Sequence, residues 1–324
     1  MNGTPANTGE FDLIERIRRR AATRRDDVVL GIGDDAALLQ VPAGRLLVVA
    51  TDTLNAGVHF PEGTAPADIG WKALAVNLSD LAAMGATPAW CTLSLSMPRG
   101  DDAWVDAFLD GFLSLAGQHD VALVGGDTTR GPLSVCVTVH GFVAPGHVLR
   151  RDAAKAGDDV WVSGTLGDAA AALVQWRAGT AIAAALRERL DRPVPRVPLG
   201  LALVDIANAA IDVSDGVLAD LAHVCAASGV GAEVDVDALP ASEALRALFE
   251  GDARRHVQAT GGDDYEVCFT APASSRDAVE AAARGARIAV TRIGRIVEGH
   301  GVRAMDANAT PWVPANAGYR HFSG

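Results

Sequence analysis

The stretch PADIGWKALAVNLSDLAAMG, residues 66–85, is the point from which the rest of the chain is read. Pro66 suits a first helical turn, where its missing N–H costs nothing, and Gly85 is a favoured helix terminator. A helix over 66–84 is therefore predicted, followed by an apolar strand over 90–97. Toward the N-terminus, residues 46–50 and 28–32 read as buried strands, preceded by Phe11, Ile14, Ile17 and Ala21 at helical spacing. Toward the C-terminus, Asp101 can cap a helix carrying Trp104, Phe108, Phe112 and Leu115. Strands follow at 121–124 and 133–143, the latter with Val135, Val137 and Val139 on one face. Alternating helical and strand periods indicate a mixed α/β protein.

The pattern breaks into polar turns over 145–159, so a domain boundary is placed there, with domains 1–150 and 151–324. The second opens with a strand over 159–163 and an alanine-rich helix after Gly167, and Pro193, Pro195 and Pro198 form a stiff connector. Further strands are expected near 210–213, 232–236, 265–270 and 287–296. A length of 324 residues suits two domains. The 49% hydrophobic content excludes disorder as the dominant state.

A formal charge of −12, with Lys72 and Lys155 the only lysines, argues against a nucleic-acid partner. Neither a signal peptide nor a membrane-length apolar run is present, so a cytoplasmic protein without a membrane partner is expected. Cys91, Cys136, Cys225 and Cys268 are scattered within or beside apolar runs, which favours buried thiols over disulfides or a zinc site.

The chemistry is in the aspartates, which sit beside glycines at predicted strand ends. They fall in Gly33-Asp34-Asp35, Thr51-Asp52-Thr53, Asn77-Leu78-Ser79-Asp80, Gly125-Gly126-Asp127-Thr128-Thr129, Asp212-Val213-Ser214-Asp215-Gly216 and Gly261-Gly262-Asp263-Asp264. Singly, each has a plain structural role: Asp215 could cap the helix after Gly216, and Asp127 could close a loop. Jointly, carboxylates and hydroxyls are the hard oxygen ligands of Mg²⁺, and converging like charges would require divalent cations.

Other nucleotide chemistries fit poorly. Gly31-Ile32-Gly33-Asp34-Asp35-Ala36 imitates a dinucleotide fingerprint, but Pro42 and Gly44 leave no room for its crossover helix. A nucleophile elbow at 212–216 lacks its first glycine, and a Walker A loop is excluded because the chain has no Gly-Lys pair. ATP would need another cradle. The amides of Gly125-Gly126-Asp127 with the cation of Arg151 could form one, and Ser163-Gly164-Thr165-Leu166-Gly167 is a weaker phosphate candidate.

These motifs, in this order, resemble the thiamine-monophosphate kinase family, within the superfamily of aminoimidazole ribonucleotide synthetase and selenophosphate synthetase. The resemblance runs from Gly9-Glu10-Phe11 to Gly318-Tyr319-Arg320-His321-Phe322. It is most specific over 77–86, over 125–132 and in Ile211-Asp212-Val213-Ser214-Asp215-Gly216. It implies a two-domain, mixed α/β fold of the aminoimidazole ribonucleotide synthetase type, whose N-terminal strands join a partner's in a dimeric barrel.

It further implies ATP-dependent phosphorylation of thiamine monophosphate to thiamine diphosphate by a homodimer. By motif matching, Asp35, Thr51, Asp52, Asp80, Asp127, Asp212 and Asp215 would hold several Mg²⁺ ions, with Asp52, Asp127 and Asp215 catalytic. Gly126, Asp127, Arg151 and Ser214 would contact ATP, and His59, Asp263 and Tyr319 the thiamine substrate. Asp263 departs from the family's usual Glu. The rival readings are another ATP-dependent enzyme of the superfamily and a non-catalytic Mg²⁺-nucleotide sensor.

Overall fold

The computed structural model describes residues 9–22, 25–314 and 318–319. The chain divides into two compact units, one of residues 1–81 with 87–145, the other of 82–86 with 146–324. The first runs α1 (Glu10–Arg20), β1 (Val28–Leu30), β2 (Leu38–Leu39), β3 (Leu46–Asn55), α2 (Pro66–Ala83), β4 (Thr87–Met97), α3 (Asp102–Gln118), β5 (Ala122–Arg130) and β6 (Ser134–Val143). Its main sheet has the order β3-β6-β4-β5, with β4 and β5 parallel and the other pairs antiparallel.

The alternation in β6 does what its pattern predicts: Val135, Val137 and Val139 are fully buried. Asp101 caps α3 by accepting the Trp104 N–H at 3.0 Å. Helices α2 and α3 cross at backbone distance, because a Cβ on Gly111 would lie 1.8 Å from the Ala67 carbonyl oxygen and one on Gly70 2.1 Å from that of Phe108. α2 also reaches the sheet, since the Leu81 side chain lies 3.2 Å from where a Gly141 Cβ would be.

Three expectations change here. β1 and β3 are not buried: Val29 is 65% exposed, Leu46 52% and Val49 54%, because β3 is an edge strand whose apolar side chains find no cover among the described residues. The segment β2 was not foreseen, and no crossover helix follows Gly31, as the rejected dinucleotide reading requires. β5 continues six residues past its apolar run, so Gly126 and Asp127 lie in a strand rather than a loop.

The second unit continues with β7 (Asp158–Ser163), α4 (Asp168–Arg177), α5 (Ala184–Asp191), α6 (Val197–Leu203), β8 (Ala209–Asp212), α7 (Val217–Ser228), β9 (Gly231–Asp235), α8 (Glu243–Leu248), α9 (Gly251–Thr260), β10 (Val267–Pro272), α10 (Arg276–Ala286), β11 (Val290–Val297) and β12 (Gly301–Met305). Its six-stranded sheet has the order β12-β9-β11-β7-β10-β8 and is antiparallel except for β12 with β9. Pro198 lies in the first turn of α6, so the expected connector ends in a helix. A core of Val160, Val162, Ile211, Val213, Leu221, Val224 and Val234 fixes β8 and the start of α7.

All four thiols are free; Cys91, Cys225 and Cys268 are buried, whereas Cys136 is only half-buried. Burial pushes the Cys225 thiol up to about 11. Among the described residues no helix is long and apolar enough to cross a membrane.

Candidate active site

In the first unit, α2 supplies the register for Asp52, the acid of β3. Asn77, fully buried, donates its amide to the Ala73 carbonyl and accepts the Asp52 N–H at 3.0 Å. Asp80 follows one turn later on the helix and is half-buried. Burial raises the Asp52 carboxyl above its ordinary pKa. Thr51 faces the other side of the sheet, where its hydroxyl meets the Thr138 hydroxyl at 2.9 Å and donates to the Val137 carbonyl at 3.0 Å.

Asp52 pairs across the sheet with Val137, Val137 with Leu93 and Leu93 with Gly126. Asp52 and Gly126 thus share one row but occupy opposite edges, three strand spacings or about 14 Å apart. Asp127, next to Gly126, turns to the exposed face with Ser94. Gly126 is dictated by packing, because a Cβ there would lie 1.8 Å from the Leu93 carbonyl oxygen. Within this unit the acids therefore do not meet at one point.

Asp35 is exposed in the turn after β1, where its N–H donates to Asp34 at 2.8 Å. His59 sits in the loop after β3. Its Nδ1 accepts the Asn55 N–H at 2.9 Å, which puts the ring proton of the neutral form on Nε2. The buried ammonium of Lys72 donates to the His59 carbonyl at 2.9 Å and holds that loop on α2.

In the second unit the expected residues other than Arg151 converge. β8 ends at buried Asp212, and the loop 213–216 leads into α7. Asp215 does not cap α7; Gly216 occupies the cap position without a side-chain bond. The acid that organises the turn is Asp220, which sequence reasoning missed. Its Oδ2 accepts the N–H groups of Ser214, Asp215 and Gly216 at 3.0, 3.1 and 3.1 Å. Burial and then the charge of Asp212 push its carboxyl up to about 7, against the pull of the backbone N–H of Asp215. These amides are thereby occupied.

The segment 261–265 lies on that loop. Asp263 and Tyr265 donate their N–H groups to the Ser214 and Val213 carbonyls at 2.9 and 2.8 Å, and the Tyr265 hydroxyl donates to Asp263 at 3.1 Å. Tyr319 donates its N–H to the Asp215 carbonyl at 3.0 Å. Arg320, His321 and Phe322 of the terminal motif lie outside the described residues. Arg151 stands elsewhere: its carbonyl accepts from Ser228, the last residue of α7, a helix length of about 18 Å from Ser214.

The turn at 163–167 is not a phosphate cradle. The amides of Gly164 and Leu166 are taken by the Ala289 and Pro240 carbonyls, and that of Gly167 by buried Asp264 at 2.9 Å. Behind it lies a buried charge cluster, of which the sequence motifs single out only Asp264. Glu266 accepts from Ser163, Arg189 and Arg196, and Asp168 accepts from Thr165 and Ser242. Burial drives the Asp264 carboxyl well above its ordinary pKa.

Among the described residues no three His, Cys, Asp or Glu side chains stand together as a metal cage. The donor set still suits Mg²⁺, which commonly takes one or two carboxylates and completes its shell with phosphate and water oxygens. Asp52, a half-buried carboxylate raised by desolvation, fits such an ion, because a cation beside it would offset that cost.

Residues 33–143 match the family described as AIR synthase related protein, N-terminal domain, and residues 155–307 its C-terminal domain. The thiamine-monophosphate kinase of Salmonella typhimurium is 49% identical over 294 residues, covering 89% of this chain and 90% of the relative. The chain belongs to the thiamine-monophosphate kinase family. Its Escherichia coli K12 relative is 45% identical over 320 residues, covering 97% and 98% of the two chains.

Solved structures of the family agree. That of the Stenotrophomonas maltophilia kinase is 59% identical, with a TM-score of 0.86 over 92% of this chain and 97% of that one. The structure of AaThiL complexed with AMPPCP and TMP is 31% identical, with a TM-score of 0.76 over 97% of both chains.

Proposed function

We propose that this thiamine-monophosphate kinase family member transfers the γ-phosphoryl group of ATP to thiamine monophosphate, giving ADP and thiamine diphosphate. The observation that carries the reading is the interlock in the second unit. The loop that follows Asp212 bears Ser214 and Asp215 and also binds, through its carbonyls, the segments bearing Asp263 and Tyr319. The AaThiL structure with AMPPCP, an ATP analogue, and TMP supports this choice of two ligands.

The acceptor is a phosphate monoester that is already largely dianionic at pH 7, with a second pKa around 6, so a strong general base is not needed. The obstacle is repulsion between two polyanions, and positioning and charge neutralisation are what phosphoryl transfer requires. Asp35, Thr51, Asp52, Asp80 and Asp127 of the first unit, and Asp212 and Asp215 of the second, would hold Mg²⁺, with Asp52, Asp127 and Asp215 catalytic. When bound, the metal supplies neutralisation and alignment of the phosphate oxygens.

Gly126, the Ser214 hydroxyl and Arg151 would contact ATP. Asp263 and the ring of Tyr319 would favour the cationic thiazolium by charge attraction and cation–π contact, with His59 a further substrate contact. The transfer is direct and in line, with no phosphohistidine. The exposed apolar edge of β3 supports a homodimer joined through N-terminal strands, and the chain works in the cytoplasm.

The test is incubation with Mg-ATP and thiamine monophosphate, with unphosphorylated thiamine in parallel. ADP and thiamine diphosphate are expected in the first reaction only. Binding without product would leave a nucleotide sensor. Asp52→Asn and Asp127→Asn are expected to abolish transfer in a folded protein; retained turnover removes that residue from the catalytic set.

A further inference from the structure

Residues 213–216 have their backbone polar groups sorted in two directions. The N–H groups of Ser214, Asp215 and Gly216 all point to one oxygen of Asp220, whose side chain is buried in the first turn of α7. The carbonyls of Val213, Ser214 and Asp215 accept from Tyr265, Asp263 and Tyr319. The two outer segments lie directly on the loop: a Cβ on Gly262 would come 2.4 Å from the Ser214 carbonyl oxygen, and one on Gly318 2.9 Å from that of Asp215.

Asp263 and Tyr265 both adopt left-handed backbone, with φ of 68° and 49°. Side chains resist this conformation, and it persists only where the surroundings enforce it. Here the enforcing contacts are the Ser214 and Val213 carbonyls, whose direction is set in turn by the amides that Asp220 gathers.

We propose that Asp220 is a positioning residue for the phosphoryl transfer, clamping loop 213–216 so that Asp212 and Asp215 keep their register with Asp263 and Tyr319. The proposal deepens the function given above and rests on it. Asp220 touches no substrate; it acts by fixing one loop that serves both. Its removal would loosen the metal ligands and the thiamine contacts together, whereas a defect in Asp263 or Tyr319 alone would affect the thiamine side only.

The test compares Asp220→Ala and Asp220→Asn in the full chain, with circular dichroism as the check on folding. Asparagine keeps an oxygen facing the three amides, and alanine keeps none. The alanine variant is expected to stay folded and to lose about 100-fold in kcat/KM for thiamine monophosphate, with KM raised and kcat lowered. Its binding of Mn²⁺ with AMPPCP, read by paramagnetic resonance, is expected to weaken by at least about tenfold. Asparagine should restore at least a tenth of wild-type turnover.

Both variants within threefold of wild type, no rescue by asparagine, or unfolding of both would overturn the proposal; in the last case the carboxylate is a folding element only. If wild type forms no thiamine diphosphate, the function fails by itself, and the Mn²⁺ comparison still decides whether Asp220 sets the loop.

Discussion

Replacing Glu266 by glutamine breaks the most deeply buried ion pair of the second unit. The Glu266 side chain is 0% exposed, with Arg196 at 13% and Arg189 at 21%. Its Oε2 accepts from Ser163 and from Arg196 Nε, both at 2.6 Å, and its Oε1 accepts from Arg189 at 2.7 Å and again from Arg196. Glutamine turns an NH₂ group toward these donors and removes the charge between them. Arg189 keeps Asp168 at 3.8 Å, so the loss concentrates on Arg196.

Breaking a buried pair from one side costs roughly 3–5 kcal/mol, and the residual exposure of both arginines places this case near about 3 kcal/mol. With a urea dependence of about 3 kcal/mol per molar for this size, the unfolding midpoint should fall by about 1 M. A double variant, Glu266→Leu with Arg196→Leu, removes both partners while leaving Arg189 to Asp168, and should recover most of the loss. A shift below about 0.3 M for the single variant would refute the reasoning, since the pair would then behave as if screened by solvent.

Gly126→Ala forces a Cβ to within 1.8 Å of the Leu93 carbonyl oxygen, so β5 must move off β4. A loss of about 1–3 kcal/mol in urea unfolding and a fall in turnover are expected, and an unchanged midpoint would contradict the geometry. Tyr265→Phe deletes the donor to Asp263 and should raise KM for thiamine monophosphate about fivefold, equivalent to about 1 kcal/mol, while kcat stays near wild type.

Asp159 is held below the ordinary carboxylate range, first by its hydrogen bonds from Arg276 and also by the charge of Arg276. A depressed folded pKa stabilises above the unfolded value of about 3.9 and is lost as pH falls through the folded one. Asp159→Asn should therefore flatten stability against pH below about pH 4 and leave its slope between pH 6 and 8 unchanged; equal acid slopes would show that Asp159 is not the group titrating.

Some of the molecule could be read from residue order because short-range chemistry decided it. The α2 helix over Pro66–Ala83, the Asp101 cap and the inward face of Val135, Val137 and Val139 follow from caps and periods that act within a few residues. The family followed differently, from the resemblance of motifs in their order, which no cap or period supplies. The β5 strand did not follow from caps and periods, because its apolar run ends at Val124, while strand pairing with β4 carries it through Gly126 and Asp127 to Arg130.

What residue order alone determined is which groups the protein has to work with: an oxygen-rich, lysine-poor set of acids beside glycines, strung on alternating helices and strands. Tertiary structure decided which of them meet. It placed Asp52 and Gly126 at opposite sheet edges, folded 261–265 onto 213–216, and assigned Asp220 and Glu266 their burial and partners. The physical reason is range. Caps and periods depend on neighbours a turn or a strand away, whereas Glu266 meets Arg196 from 70 positions along the chain, and only the completed core selects that encounter.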